Sequence, residues 1–151
     1  MLDAIKNKIS KNSKYLLVFT PLLAVYLPTT VYPITNDIGS DISFRPPGYV
    51  FAIVWPILLT LLGINWFLNR NISTLINIIY GILVILLAIW FILYDLNKYF
   101  GLFDIILSFI ITFYIFYYNC KYVNIYRSLQ LVPLLIWLLF ATVLNIASLQ
   151  I

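Results

Sequence analysis

Histidine and glutamate are absent from the 151-residue sequence, and cysteine and methionine occur once each, as Cys120 and Met1. Without imidazole there is no His-ligated metal centre, no His-ligated haem and no Ser-His or Cys-His nucleophile pair. A lone cysteine cannot close an intramolecular disulfide. Charge is scarce as well: 9% of residues are charged, against about 25% in soluble domains. Five aspartates and nine Lys or Arg leave a net charge of +4, too thin a spread for a nucleic-acid-binding stripe. These absences argue against hydrolytic or metal chemistry and against a water-covered surface. Neither a metal-ligand set nor a required cofactor is expected, and nucleic acid is not an expected partner.

Apolar residues take up the remainder. They make up 64% of the chain, with a mean hydropathy of +1.02, so the expected solvent is the lipid bilayer. A spanning helix needs roughly 20 apolar residues to cross about 30 Å of hydrocarbon. Five runs qualify, at about 15–32, 46–68, 73–94, 100–119 and 129–149. They are far longer than the roughly ten-residue alternating strands of an outer-membrane barrel. The reading is an all-α membrane protein, a bundle of five transmembrane helices in a single domain over 1–151. Polar breaks at 35–45, 69–72, 95–99 and 120–128 join the runs, and every break contains a charge while the runs contain almost none. Asp104 is the exception, one turn inside the fourth run. It reads as an interfacial or helix-start carboxylate favoured by the helix dipole; the alternative is a role in a pocket or between helices. Pro21, Pro28 and Pro33 are expected to kink or end the first helix.

Lys6, Lys8, Lys11 and Lys14 precede the first run. No small-residue cleavage site follows it, so it reads as an uncleaved span rather than a signal peptide. The N-terminal tail and the second and fourth breaks share one side of the membrane. That side carries seven cations (Lys6, Lys8, Lys11, Lys14, Arg70, Lys121, Arg127) against two on the other (Arg45, Lys98). For a translocon-inserted multi-pass protein this bias places the N-terminus in the cytoplasm.

The four tryptophans divide by depth. Trp66 and Trp90 stand near span ends, where an aromatic belt accounts for them. Trp55 and Trp137 stand ~13 Å deep at 1.5 Å per residue, and a belt does not account for those two. They are packing residues, lipid-facing residues or walls of a ligand site. By the i, i+3, i+4, i+7 rule Phe51, Trp55, Leu58, Leu59 and Leu62 share one face, and Trp137, Phe140, Ala141, Leu144 and Asn145 another. Ala141 leaves room beside its indole, and Asn145 supplies a polar handle. Two such faces can line a dry slot for a planar apolar ligand, although stripes of this kind more often form core.

Phe44-Arg45-Pro46-Pro47-Gly48-Tyr49-Val50-Phe51 is the most informative local stretch. Its paired prolines suit the first turn of a helix and hold Arg45 extended. Arg45 then either snorkels to headgroups or holds a ligand carboxylate at a pocket mouth. Gly63 permits one close helix approach.

Pro46-Pro47-x-x-Val50-Phe51-x-x-Val54-Trp55-x-x-Leu58, followed by Gly63, resembles the second-helix signature of the translocator protein/tryptophan-rich sensory protein family, the peripheral-type benzodiazepine receptor family. Leu131-x-Pro133-Leu134-Leu135-x-Trp137-x-x-Phe140-Ala141-x-x-Leu144-Asn145 resembles its fifth-helix signature, with Leu134 in place of the usual Tyr. The third helix keeps Trp90, and the fourth keeps an Asp at Phe103-Asp104. The resemblance implies a cavity opening toward the first loop that binds porphyrins and other tetrapyrroles, sterols and isoquinoline-type drugs, often in a homodimer. By position, Trp55, Leu59, Leu87, Trp90, Trp137 and Ala141 would line it, with Phe44, Phe51 and Asn145 completing the candidate set. In bacterial relatives the two mid-helix tryptophans are linked to light-dependent porphyrin breakdown, which makes Trp55 and Trp137 the catalytic candidates of an enzymatic alternative. Mammalian relatives lie in the outer mitochondrial membrane with the first loop toward the cytosol, opposite to the charge count here, so the resemblance leaves the membrane open.

The departures fall mainly at the first loop and the ends. The family's W-Y-x-x-L-x-K-P-x-F loop keeps only Phe44; Thr35, Asn36, Asp41 and Ile42 stand at its W-Y and K-P positions. Leu87 replaces a common Asn, Phe109 replaces a usual Trp, and residues 146–151 lack the Tyr and basic residue of a sterol segment. The expected function is a membrane receptor or carrier holding a porphyrin between Trp55 and Trp137. With no His and only Met1 for axial ligation, metal-free porphyrin is expected over haem. The alternatives are light-driven porphyrin degradation and a structural membrane protein that has lost its ligand.

Overall fold

The computed structural model describes residues 15–32 and 42–150; Lys6, Lys8, Lys11, Lys14, Pro33, Thr35, Asn36 and Asp41 lie outside them. Among the described residues every element is a helix: α1 Leu16–Val31, α2 Gly48–Asn69, α3 Thr74–Leu96, α4 Lys98–Tyr122, α5 Ile125–Leu129 and α6 Val132–Ser148. α2, α3, α4 and the α5–α6 rod Ile125–Ser148 are each long and apolar enough to cross a membrane. α1 is equally apolar but has 16 residues, ~24 Å at the helical rise. The protein is an all-helical, integral multi-pass membrane protein, as the apolar runs predict. Its outer face is correspondingly apolar, with Ile53, Ile57, Ile78, Ile85, Ile110 and Ile136 exposed.

The breaks expected at 95–99 and 120–128 are shorter than the sequence suggests, and asparagine is the reason. Asn97 alone separates α3 from α4; it is extended (φ −163°, ψ 124°), and its side chain accepts from the Tyr99 N–H at 2.8 Å. Asn124 caps α5 in the same way, accepting from the Tyr126 N–H at 2.8 Å. Each cap satisfies a helix-start donor and lets the next helix begin at once. Much of the expected break at 120–128 is therefore helix. Pro46 and Pro47 precede α2 instead of occupying its first turn: Pro47 has ψ 150°, and its carbonyl accepts from the Val50 N–H at 2.9 Å. Pro21 and Pro28 remain inside α1.

α1 lies along α2 and α3, α3 along α4, and α4 along α6, whereas α2 meets α6 and α3 only lightly. Lipid tails are as apolar as leucine, so close packing and hydrogen bonds must hold such helices together. Two glycines allow the closest approaches. A Cβ on Gly63 would fall 1.8 Å from the Val18 carbonyl oxygen, and one on Gly101 would fall 2.8 Å from the Tyr94 Cα. The core between the helices holds Leu59 and Leu62 from α2, Leu83 and Leu87 from α3, Ile105 and Ile115 from α4, and Leu138 from α6. The bundle has two distinct ends. The N-terminal end gathers the start of α1, the end of α2, the start of α3, the end of α4 and α5. The first-loop end gathers the opposite termini.

Candidate ligand site

Phe51 and Trp55 sit one turn apart on α2 and meet Trp137 on α6. The Trp137 ring lies 5.5 Å from Phe51 at 70° and 6.3 Å from Trp55 at 86°, with Phe140 5.6 Å away on its own helix. Edge-to-face geometry is what ring quadrupoles favour, worth ~0.5–1.5 kcal/mol per pair beyond burial. The expected open slot flanked by two indoles is not what the structure holds: the rings touch. With little backbone contact between α2 and α6, aromatic side chains fill the seam themselves. The Arg45 guanidinium stands 5.3 Å from the centre of the Phe51 ring, a cation–π distance that ties the start of α2 to the same cluster.

The remaining candidates divide. Leu59 has no accessible surface and Leu87 only 3%, and both pack in the core cluster. Ala141 and Asn145 are buried on α6, where the Asn145 Nδ2 donates to the Ala141 carbonyl at 2.8 Å. Phe44 is half exposed. Trp90 packs on Tyr94 at 5.6 Å, and its Nε1 is buried with no partner among the described residues. A belt tryptophan turns that N–H to headgroups, so the belt reading of Trp90 is corrected. Trp66 also turns its N–H to protein. It stacks on Tyr80 (5.8 Å, 7°) and donates to the Asn77 Oδ1 at 3.0 Å, fastening α2 to α3.

Asp104 is corrected too. It is 2% exposed, and both carboxylate oxygens lack a partner among the described residues, as does the Oγ of fully buried Ser108. Helix α4 begins at Lys98, so Asp104 stands in its second turn, and its burial puts it on the inward face, the place between helices that was the alternative reading. Counting Trp90, Trp137 and Asn145, five side chains carry buried polar atoms without a partner among the described residues toward the first-loop half.

At the other end lies a cluster that sequence reasoning missed. Asn65 and Asn69 on α2 and Asn119 on α4 have no accessible surface. The Asn69 Nδ2 donates to the Tyr80 hydroxyl at 2.8 Å, the Asn119 Oδ1 at 3.1 Å and the Asn65 Oδ1 at 3.2 Å, sharing two hydrogens among three acceptors. The Tyr80 hydroxyl donates in turn to the Asn65 Oδ1. Arg127 donates to the Asn69 Oδ1 at 2.9 Å, and the Asn65 Nδ2 donates to the Arg127 carbonyl at 2.6 Å and the Gln130 Oε1 at 3.0 Å. The available signal was the i, i+4 spacing of Asn65 and Asn69 inside an apolar run.

Helices of this length and hydropathy define an all-helical, multi-pass membrane protein. The sequence matches the TspO/MBR family over residues 17–150, and the chain belongs to that family, one of membrane proteins that bind tetrapyrroles and sterols. A search of curated proteins and a search of solved structures each give no match.

Proposed function

We propose that the protein is a membrane receptor or carrier that takes a metal-free porphyrin, or another flat tetrapyrrole, at the seam between α2 and α6. The observation that carries this reading is the contact of Trp137 with both Phe51 and Trp55 across a lightly packed helix pair. Parting those rings forfeits ~0.5–1.5 kcal/mol per pair. A planar macrocycle inserted there would replace those ring contacts with apolar cover on both of its faces. Absence of His, with Met1 the only Met, favours the free-base ring over haem. The cation bias supports an N-terminal end toward the cytoplasm, with the seam toward the opposite face.

The test is tryptophan fluorescence quenching of the purified protein by protoporphyrin, with cholesterol as the competing ligand. Protoporphyrin should quench saturably. Trp55→Phe and Trp137→Phe should each weaken the Kd roughly fivefold, the equivalent of about one aromatic contact. Unchanged affinity in both variants overturns the reading.

A further inference from the structure

Asp104 and Ser108 stand at i and i+4 on α4, one above the other on the same face. Both are almost wholly buried, and three of their side-chain oxygens have no partner among the described residues. Two contacts fix where that face points. The Lys98 Nζ donates to the Ser148 carbonyl at 2.7 Å, which locks the start of α4 to the end of α6. Gly101 passes Tyr94 too closely for a Cβ, which locks α4 to α3. Counting inward from these anchors along antiparallel helices, Asp104 comes level with Trp90 and Phe91 on α3 and with the Ala141–Asn145 turn of α6. The Asn145 Oδ1 on that turn is a further buried acceptor without a partner among the described residues.

An intramembrane carboxyl is costly on insertion scales, and such residues characteristically pair or mark ligand and ion paths. Here the nearby cation in sequence, Lys98, is engaged at the helix end. The Trp90 and Trp137 Nε1 groups are the unpartnered donors, while on α4 and on the Ala141–Asn145 turn the polar atoms left over are the two Asp104 oxygens, the Asn145 oxygen and the Ser108 hydroxyl. A primary ammonium offers three N–H donors to such a set. Removal of the carboxyl from water is already part of the folded state, so a bound ammonium gains the attraction without that share of desolvation.

We propose that Asp104 and Ser108, with the Asn145 side-chain oxygen, form a subsite for a protonated amine carried by a flat ligand. The inference rests on the seam reading above, since the ligand body would lie between Trp55 and Trp137. The seam supplies affinity for the ring, and the α4 face supplies preference for its charge.

The experiment uses the full chain in a non-ionic detergent and two probes: a porphyrin with a single alkylammonium arm and the same porphyrin with that amine acetylated. The ammonium form should bind about tenfold tighter to the wild type. In Asp104→Asn the ratio should fall to about one, with the acetylated form within about twofold of its wild-type Kd. Ser108→Ala should reduce the ratio about threefold, and Asp104→Glu should restore most of the preference. A wild-type ratio near one with both probes bound overturns the subsite and leaves the seam reading standing. So does a preference that Asp104→Asn retains. Should Asp104→Asn fail to fold, a preference that Ser108→Ala leaves unchanged overturns it equally. Failure of both probes to bind overturns the seam reading and the subsite together.

Discussion

The two ends of the bundle bury polar side chains to a similar degree and treat them in opposite ways. At the N-terminal end Asn65, Asn69, Tyr80, Asn119, Arg127 and Gln130 bond to one another across α2, α3, α4 and the α5 region. Toward the first-loop end Trp90, Asp104, Ser108, Trp137 and Asn145 hold atoms with no partner among the described residues. In lipid no water competes for such groups, so a closed network holds helices together and an open set costs free energy. The comparison separates two duties within one small fold. One end clamps the helices, and the other keeps polar and aromatic groups available at the expense of stability.

Removing a member of the clamp should give the largest effect. Asn69 bonds to four partners and is fully buried. Hydrogen bonds between membrane helices average only about 0.6 kcal/mol each. Asn69→Ala, however, breaks several and strands a buried amide oxygen, so the loss should total roughly 2–3 kcal/mol. Thermal unfolding in detergent should show a clearly lowered Tm, with porphyrin affinity of the folded fraction unchanged. If affinity fell in proportion to stability, the division of labour between the ends would be wrong.

Ser108→Ala tests the comparison from the other side and should have the opposite sign. The hydroxyl is buried without a partner, so its removal should stabilise the fold by roughly 1 kcal/mol, the lower end of what an unsatisfied group costs. A raised Tm is the expected reading. A lowered one would mean that Ser108 is satisfied in the folded protein and belongs to the clamp type.

What the sequence made legible follows from what it encodes locally. Uninterrupted apolar runs of about spanning length had to become helices, and Gly63 announced a close approach that Val18 fulfils. The pairing of Trp55 with Trp137 was anticipated as two inward faces, because helical periodicity fixes which residues share a side. Distances across the bundle are not local. Whether two indoles flank a gap or touch depends on helix separation and rotamer, and neither can be read from spacing. Asp104 takes the alternative place between helices for a related reason: an apolar run shows neither where its helix starts nor which face a neighbour covers, and α4 starts at capped Asn97–Lys98 with Asp104 turned inward. The asparagine network escaped notice because each Asn shows its own position but not its partners, which come from α3, α4 and α5 at wide sequence separation.

The smallest expected effect concerns how the first-loop end is tied at its rim. Its ties involve charged side chains: the Tyr32 hydroxyl donates to the Asp95 carboxylate, and Lys98 donates to the Ser148 carbonyl. The hydrogen bond to Asp95 is the main cause that raises the Tyr32 pKa above its ordinary value, with desolvation and the Asp95 charge adding to it. A raised folded-state value means that folding favours the protonated phenol. The tie contributes in full below the ordinary tyrosine value of about 10, and the contribution is lost as pH rises through the raised one. Tyr32→Phe should therefore lower Tm slightly near neutral pH, and the gap to wild type should close in strongly alkaline buffer. The Asn69→Ala gap, which rests on amides at its centre, should keep most of its size over the same range. A Tyr32→Phe protein as stable as the wild type near neutral pH would show that ring packing on Phe91, 5.9 Å away, and not the shared proton, fastens that rim.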